Sequence, residues 1–143
     1  MNLEDLLAER DIQRQLVTFA RAMDNRDWDT IEAVTTDDIS VDFGIGEFQG
    51  QTALIEVLRS FLDNCGATQH LLGNFIIEVT GDTATSESYV SDMHLGKNTS
   101  DDLDFRTLGN YSDTWKKVGD TWLITRRIKD NRATIGSMDV FKP

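Results

Sequence analysis

The stretch from Thr68 to Leu95, TQHLLGNFIIEVTGDTATSESYVSDMHL, constrains this chain more than any other. Two β-favouring runs, Phe75 to Val79 and Thr83 to Tyr89, flank Thr80-Gly81-Asp82, which reads as the turn of a hairpin. The only histidines, His70 and His94, fall near its open ends. Loop length decides what they face. A two- or four-residue loop centred on Gly81-Asp82 sets His70 opposite Met93, whereas the three-residue loop Gly81-Asp82-Thr83 sets it opposite His94, on one face, with Cβ atoms about 5 Å apart. One residue of register therefore separates a paired site from two unrelated imidazoles. His94 joins His70 if the turn has odd length or if a bulge restores the phase.

Before the hairpin the pattern is mainly helical. Ile12, Leu16, Phe19 and Met23 make an apolar stripe over residues 3 to 24, with Glu4, Asp5, Glu9, Arg10 and Arg14 outside it. A break at Asp24-Asn25-Arg26 leads to a short helix from Asp27 or Trp28 to about Thr35, capped by Asn25 or Asp27 and burying Trp28, Ile31 and Val34. Ile39 to Phe43 alternates like a strand and stops at Gly44-Ile45-Gly46; Gln51 to Leu62 returns to helical spacing. After the hairpin, Phe105 to Val118 and Trp122 to Lys129 form two further strands around Gly119-Asp120, making an antiparallel series of four. The polar segment Lys97 to Asp104 reads as an exposed loop, and Ala133 to Pro143 has little pattern. Helices followed by a meander define an α+β domain whose twisted sheet wraps around helices.

At 143 residues the chain fits one domain, residues 1–143, burying about two-thirds of its unfolded surface, enough for a core with an internal pocket. With 25 acidic against 14 basic residues the formal charge is −11, which repels phosphate backbones and anionic lipid, so nucleic acid and membrane are not expected partners. The amino terminus lacks the basic-then-apolar order of a signal peptide and no apolar run approaches about 20 residues, so a soluble, cytoplasmic protein is expected. Cys65 stands alone and reads as a small buried residue, and no Cys/His cluster has metal-binding spacing.

Asp24 closes the first helix, where a carboxylate meets the negative end of the macrodipole and loses about 0.3 to 1 kcal/mol. Either a partner elsewhere in the fold holds it there, or it is a solvated residue that begins a turn. If the helix runs that far, Asp24 shares the side of Ala20 and Leu16. A carboxylate within hydrogen-bond reach of His70 would orient the ring and stabilise its protonated form, as a general base requires. His70 is in phase with Leu72, Asn74 and Ile76, whereas Leu71, Phe75, Ile77 and Val79 share the other face; both faces are partly apolar, which predicts a strand start covered on both sides. His94 is in phase with Asp92, Val90 and Ser88. Strict alternation in the last strand points Trp122, Ile124, Arg126 and Ile128 one way, making Arg126 the inward cation, and leaves Arg127 and Lys129 on a solvated face. In the preceding strand Tyr111 and Asn110 fall in opposite sets, and either set fits the cavity; Tyr89 and Tyr111 are the candidate hydroxyl donors.

Several anchors together resemble a known family. They are Ala22-Met23-Asp24 at the helix end, the Trp28 helix, Asp37-Asp38 before a strand, His70-Leu71-Leu72-Gly73-Asn74, Gly81-Asp82-Thr83-Ala84 and Gly119-Asp120-Thr121-Trp122. The order is similar to that of SnoaL-like proteins of the nuclear transport factor 2, ketosteroid isomerase and scytalone dehydratase superfamily, across nearly the whole chain. The resemblance implies a cone-shaped, curved mixed sheet wrapped around N-terminal helices, with an apolar internal pocket. It implies catalytic roles for Asp24 and His70, matching the Asp–His pair of the dehydratase and the dehydrochlorinase, with His94 as a second histidine. Tyr111, Asn110, Arg126, Trp28 and Phe43 become candidate substrate contacts. The arginine that assists the leaving group in the dehydrochlorinase falls at Asn131, counted without gaps from Trp122, with Arg132 adjacent. The implied activity is a cofactor-independent, dehydratase-like lyase or isomerase acting on a small hydrophobic cyclic or aromatic molecule, with neither metal nor organic cofactor. The alternatives are a non-catalytic small-molecule-binding module and the small subunit of a ring-hydroxylating dioxygenase. A homodimer or higher homo-oligomer, paired through an outer sheet face near Trp115 and Trp122, is also implied.

Overall fold

The structure, a computed structural model, describes residues 1–98 and 103–143. Helix α1 (Leu3–Asn25) starts where Asn2 Oδ1 accepts the Asp5 N–H at 2.8 Å, and Glu4 and Asp5 suit its positive end. Its stripe Ile12, Leu16, Phe19 and Met23 is buried as the spacing predicts. The helix stops at Arg26, a non-glycine residue in the left-handed region (φ 56°), and the Asp27 N–H closes back on the Ala22 carbonyl. Asp27 then caps α2 (Trp28–Ala33) by accepting from the Thr30 N–H. Strand β1 (Thr35–Asp42), a short β2 (Glu47–Gln49) and α3 (Gln51–Leu62) follow, then the long strands β3 (Thr68–Thr80), β4 (Thr83–Leu95), β5 (Asp104–Val118) and β6 (Thr121–Gly136), and a final 3₁₀ turn (Met138–Phe141). Strand β2, the extension of β6 to Gly136 and the 3₁₀ turn are additions to the sequence reading. Residues 99–102 of the expected Lys97 to Asp104 loop lie outside the described residues; Lys97 and Asn98 are exposed.

The strands form one curved, unclosed six-stranded sheet in the order β2-β1-β6-β5-β4-β3. It is mixed because β1 runs parallel to β6 while the other neighbours are antiparallel. Helix α1 lies against the inner face, packing on β3 and β6, and the core gathers between them. This is the cone-shaped α+β architecture expected.

Of the four register shifts in the sheet, one lies between Thr35 and Ser40 of β1, and the other three decide which side chains of β3 and β6 point inward. The β3–β4 loop has two residues, because Thr80 pairs with Thr83. Between Gly73 and Ile76, however, Asn74 and Phe75 stand opposite the single residue Ser88, and Asn74 takes a left-handed φ of 52°. The bulge moves the register by one, so His70 pairs with Asp92 and Thr68 with His94, and both histidines face inward. It also separates Thr68, His70 and Leu72 on one side of the shift from Phe75, Ile77 and Val79 on the other, all on the inner face. The strand start is therefore covered on one face, not two; Leu71 and Ile76 are exposed.

The other two shifts lie in β6. Trp115 pairs with Ile124 but Thr114 pairs with Arg126, leaving Thr125 extra, and a second shift leaves Arg132 extra between Asn131 and Ala133. Beyond Thr125 the phase inverts. Arg127 is 1 % exposed, whereas Arg126 binds Ser40 Oγ at 2.8 Å and Glu47 Oε1 at 2.6 Å away from the interior. The inward cations are thus Arg127 and Lys129, not Arg126, because a bulge breaks the strict alternation assumed for this strand. Trp115 and Trp122 are buried on the inner face, with the Trp115 indole N–H donating to Ser86 Oγ, so neither lies on the outer surface.

Arg127 anchors the cone. Its guanidinium makes a two-point contact with Asp113, Nε to Oδ1 at 2.8 Å and Nη2 to Oδ2 at 3.0 Å, both side chains being essentially sealed from water. It lies 4.3 Å from the Phe19 ring centroid and 3.9 Å from that of Tyr111, joining helix to sheet. Burial disfavours the cation, but Asp113 more than compensates and holds Arg127 above its ordinary pKa. Asp113→Asn keeps the shape and leaves a buried charge unpaired. The expected loss is about 3–5 kcal/mol in urea unfolding, and a loss below about 1 kcal/mol contradicts this role.

Candidate active site

Asp24 lies in the last turn of α1, on the side of Leu16 and Ala20, and three donors offset its unfavourable place on the dipole. Its Oδ2 accepts the backbone N–H of His70 at 3.0 Å, and its Oδ1 accepts Thr68 Oγ1 at 2.9 Å and meets His70 Nδ1 at 2.7 Å. Arg26 holds these parts together. Its side chain donates to the Met23, Leu62 and Gly66 carbonyls and to Thr68 Oγ1, tying the ends of α1 and α3 to the start of β3. Burial alone pushes the Asp24 carboxyl up; the hydrogen bonds and charge of His70, with Thr68, outweigh it and hold the acid below the ordinary carboxylate range. An ionised carboxylate on Nδ1 fixes the proton of the neutral ring there and leaves Nε2 as the basic nitrogen.

His94 stands beside it, the ring centroids 5.4 Å apart and nearly perpendicular. Its Nδ1 lies 3.1 Å from the Phe105 carbonyl, which only accepts, so this nitrogen too carries the proton. Burial lowers the His94 pKa against the pull of Asp92, so the ring is neutral at neutral pH. Asp92, the strand partner of His70, is fully buried. Its Oδ2 accepts Thr107 Oγ1 at 2.6 Å and Lys129 Nζ at 2.7 Å, while Oδ1 has no hydrogen bond and lies 3.5 Å from His94 Nδ1. Burial raises this acid, but Lys129 and Thr107 hold it below the ordinary range, hence ionised.

His70, His94, Thr107 and Lys129 line an apolar pocket of about 160 Å³ between the inner sheet face, the ends of α1 and α3, and the 3₁₀ turn. Met23, Leu58 and Phe61 form its helical side. Phe141 of the 3₁₀ turn packs edge-on against Phe61, His94 and Phe105, while Ile45 and Met138 are exposed at the rim. Among the described residues no group of three or more His, Cys, Asp or Glu is placed to hold a metal ion, and no helix is long and apolar enough to cross a membrane.

Of the residues singled out in the sequence, His70, His94, Tyr111 and Phe43 line this pocket, and Asp24 backs it through His70. Burial raises the pKa of the Tyr111 phenol, which stays protonated. Asn110 does not belong. It points to the outer face, where its amide donates to Glu87 Oε2 at 2.6 Å, because β5 turns Phe105, Thr107, Tyr111 and Asp113 inward and the alternate set outward. Arg126 is excluded by the bulge, and Trp28 lies under Arg59, 5.7 Å from its ring, outside the pocket lining. Asp92, Thr107 and Lys129 are the polar groups that the sequence reading missed as site residues. Asp92 carried a usable signal, two residues before His94 on a strand and hence on its face. Lys129 carried none, since its inward direction depends on the bulge at Thr125.

The sequence of the SnoaL-like domain family matches residues 4–128. An uncharacterized protein of Mycobacterium tuberculosis is 29 % identical over 131 residues, 90 % of this chain and 88 % of that protein. Among solved structures, a protein of Novosphingobium aromaticivorans provisionally named an aromatic ring hydroxylase is 28 % identical, covering 99 % of both chains with a TM-score of 0.85. A protein of the same organism provisionally named a scytalone dehydratase is 23 % identical, covering 93 % of this chain and 89 % of that one, with a TM-score of 0.85. A hexachlorocyclohexane dehydrochlorinase is 16 % identical over 96 % of this chain and 93 % of that one, with a TM-score of 0.83. The last two likenesses speak for the fold. With a family match over most of its length and the matching cone, the chain belongs to the SnoaL-like domain family of the nuclear transport factor 2-like superfamily.

Proposed function

We propose that the protein is a cofactor-independent lyase or isomerase acting on a small, hydrophobic, single-ring molecule, with His70 as general base. The observation that carries this reading is the 2.7 Å contact of Asp24 Oδ1 with His70 Nδ1 at the wall of an apolar pocket. His70 Nε2 takes a proton from a substrate carbon, and Asp24 stabilises the imidazolium that forms. The electron pair of the broken C–H bond either forms a double bond as a neighbouring hydroxyl departs, taking the proton from His70 to leave as water, or shifts so that His70 returns the proton to another carbon. Tyr111, protonated in the pocket, is a donor for the departing or polarised oxygen. A cavity of this volume suits one ring, since a dry pocket of about 150 Å³ accepts benzene. The dehydratase and dehydrochlorinase names of two fold neighbours support the same class of chemistry. An accessory-subunit reading draws on the hydroxylase name of another relative, but it gives the oriented Asp–His pair no task.

The outer sheet face supports self-association, because Leu71, Ile76, Tyr89 and Leu108 are exposed there. Light scattering on the eluting protein is expected to give a dimer or larger; a monomer at all concentrations contradicts it.

Turnover is tested by proton NMR in deuterated water with a panel of single-ring compounds bearing an activated C–H. His70→Ala and Asp24→Asn are each expected to slow exchange or conversion by about 10²–10⁴-fold while remaining folded. Unchanged rates in both variants remove His70 as the base.

Acid sensitivity follows from His94. Its folded pKa lies below the unfolded value of 6.5, so the unfolded chain binds the proton first as pH falls. Stability linked to this ring is intact above the unfolded value and declines as pH drops through the folded one. The lowered carboxylates of Asp24 and Asp92 act later, their contribution holding above 3.8 and disappearing below it. His94→Asn, which keeps a donor for the Phe105 carbonyl, should flatten the loss of thermal stability as pH falls below 6.5. Equal slopes in the two proteins contradict the assignment.

A further inference from the structure

Among the described residues lining the pocket, Lys129 alone carries a fixed positive charge. Its stem reaches inward past Gly109, where a Cβ would stand 2.9 Å from Lys129 Cε and 3.0 Å from Val90 Cγ1, so the absence of a side chain at Gly109 makes its path. The ammonium ends 2.7 Å from Asp92 Oδ2 and 3.0 Å from Thr107 Oγ1. Thr107 gives its own proton to Asp92 at 2.6 Å and therefore accepts from Lys129. Two of the three ammonium N–H groups are thereby engaged and one is free. The Asp92 side chain is 0 % exposed and that of Lys129 12 %, so the cavity meets the donor and not the acid. Lys129 stands on β6 opposite Tyr111, and its ammonium reaches across β5 to Asp92 on β4, the strand partner of His70 on β3, so cation and base line the same pocket.

We propose that the free N–H of Lys129 holds a substrate oxygen that becomes negative during turnover, and that the substrates are therefore single-ring carbonyl compounds with an enolisable C–H beside the carbonyl. This deepens, and rests on, the reading of His70 as the base. The C–H bond breaks, its proton passes to His70 Nε2, and its electron pair forms a C=C bond while the carbonyl π pair moves onto oxygen. Lys129 stabilises that enolate. The pair then returns to expel a β-hydroxyl, which takes the proton from His70, or to accept that proton at a different carbon. Lys129 touches the reacting oxygen; Asp92 and Gly109 are positioning residues that hold the ammonium there.

The test uses p-nitrophenolate as a single-ring oxyanion and nitrobenzene as its neutral counterpart, with dissociation constants from calorimetry and the bound phenol's titration from its visible absorbance. The wild-type protein should prefer the phenolate by about tenfold or more, as expected of a hydrogen bond to a charged group, and should lower the pH at which the bound phenol ionises. Asp92→Asn with Lys129→Gln removes both buried charges together, so that neither is left unpaired. This double variant should lose the preference while keeping its affinity for nitrobenzene within about twofold. Gly109→Ala, which keeps the charge but displaces it, should reduce the preference. A wild-type protein with no preference overturns the proposal, as does a double variant that keeps it. His70→Ala should leave the preference in place. Catalysis surviving in His70→Ala would remove the base reading and leave this binding result standing, so the two claims fail separately.

Discussion

The site exists because the sheet breaks its own alternation. A strand with strict period two would send His70 and His94 to opposite faces, given the two-residue turn at Gly81-Asp82, and would point Lys129 outward. The bulge at Asn74 returns both histidines to the inner face, and the extra Thr125 turns Arg127 and Lys129 toward the interior. Each bulge also bends its strand, which is what a sheet that wraps α1 requires. Curvature and chemistry share one cause here. A residue added to a strand for shape re-aims every side chain beyond it.

Once aimed inward, the charges are paired at three levels of the cone. Asp113 holds Arg127 under α1, Asp92 holds Lys129 in the middle, and Asp24 holds His70 where the helix ends. The pairs differ in exposure. The first is sealed and structural, a bidentate contact clamped by Phe19 and Tyr111. In the second the acid is buried and the base shows. In the third the ring has 5 % and the carboxylate 20 % of its side-chain surface accessible. An acidic chain of net charge −11 thus keeps fixed cations within its interior, each oriented by a carboxylate.

Much of this was legible in the residues. The stripe from Ile12 to Met23 gave α1 and its end, and a carboxylate against the helix dipole suggested that Asp24 had a partner elsewhere. His70 at a strand start supplied one. What strict alternation mis-assigned was everything downstream of a bulge: Arg126 in place of Arg127, Lys129 as a solvated residue, and Leu71 with Phe75 on a single face. Gly73-Asn74 did carry a sign, because asparagine tolerates the left-handed backbone that a bulge uses. Thr125 carried none, since a β-branched residue in a strand reads as ordinary. Asn110 was open for a different reason, as the two faces of β5 differ by neighbours on other strands and not by their own composition. The short β2 and the closing Met138–Phe141 turn depend on tertiary partners, the Phe61 and His94 rings among them.

The chemistry of the site turns on one proton. If Asp24 orients His70 as a base, the neutral ring carries hydrogen on Nδ1 and presents a bare Nε2 to the pocket. Nitrogen-15 NMR of histidine-labelled protein, recorded above the imidazole titration with Asp24→Asn for assignment, reads this directly. The expected result is a single Nδ1–H tautomer for His70 in the wild-type protein, with its N–H proton shifted downfield by the short contact to Asp24, and loss of that shift in the variant. A His70 ring protonated on Nε2 in the wild type, or one indifferent to Asp24→Asn, would contradict the central claim.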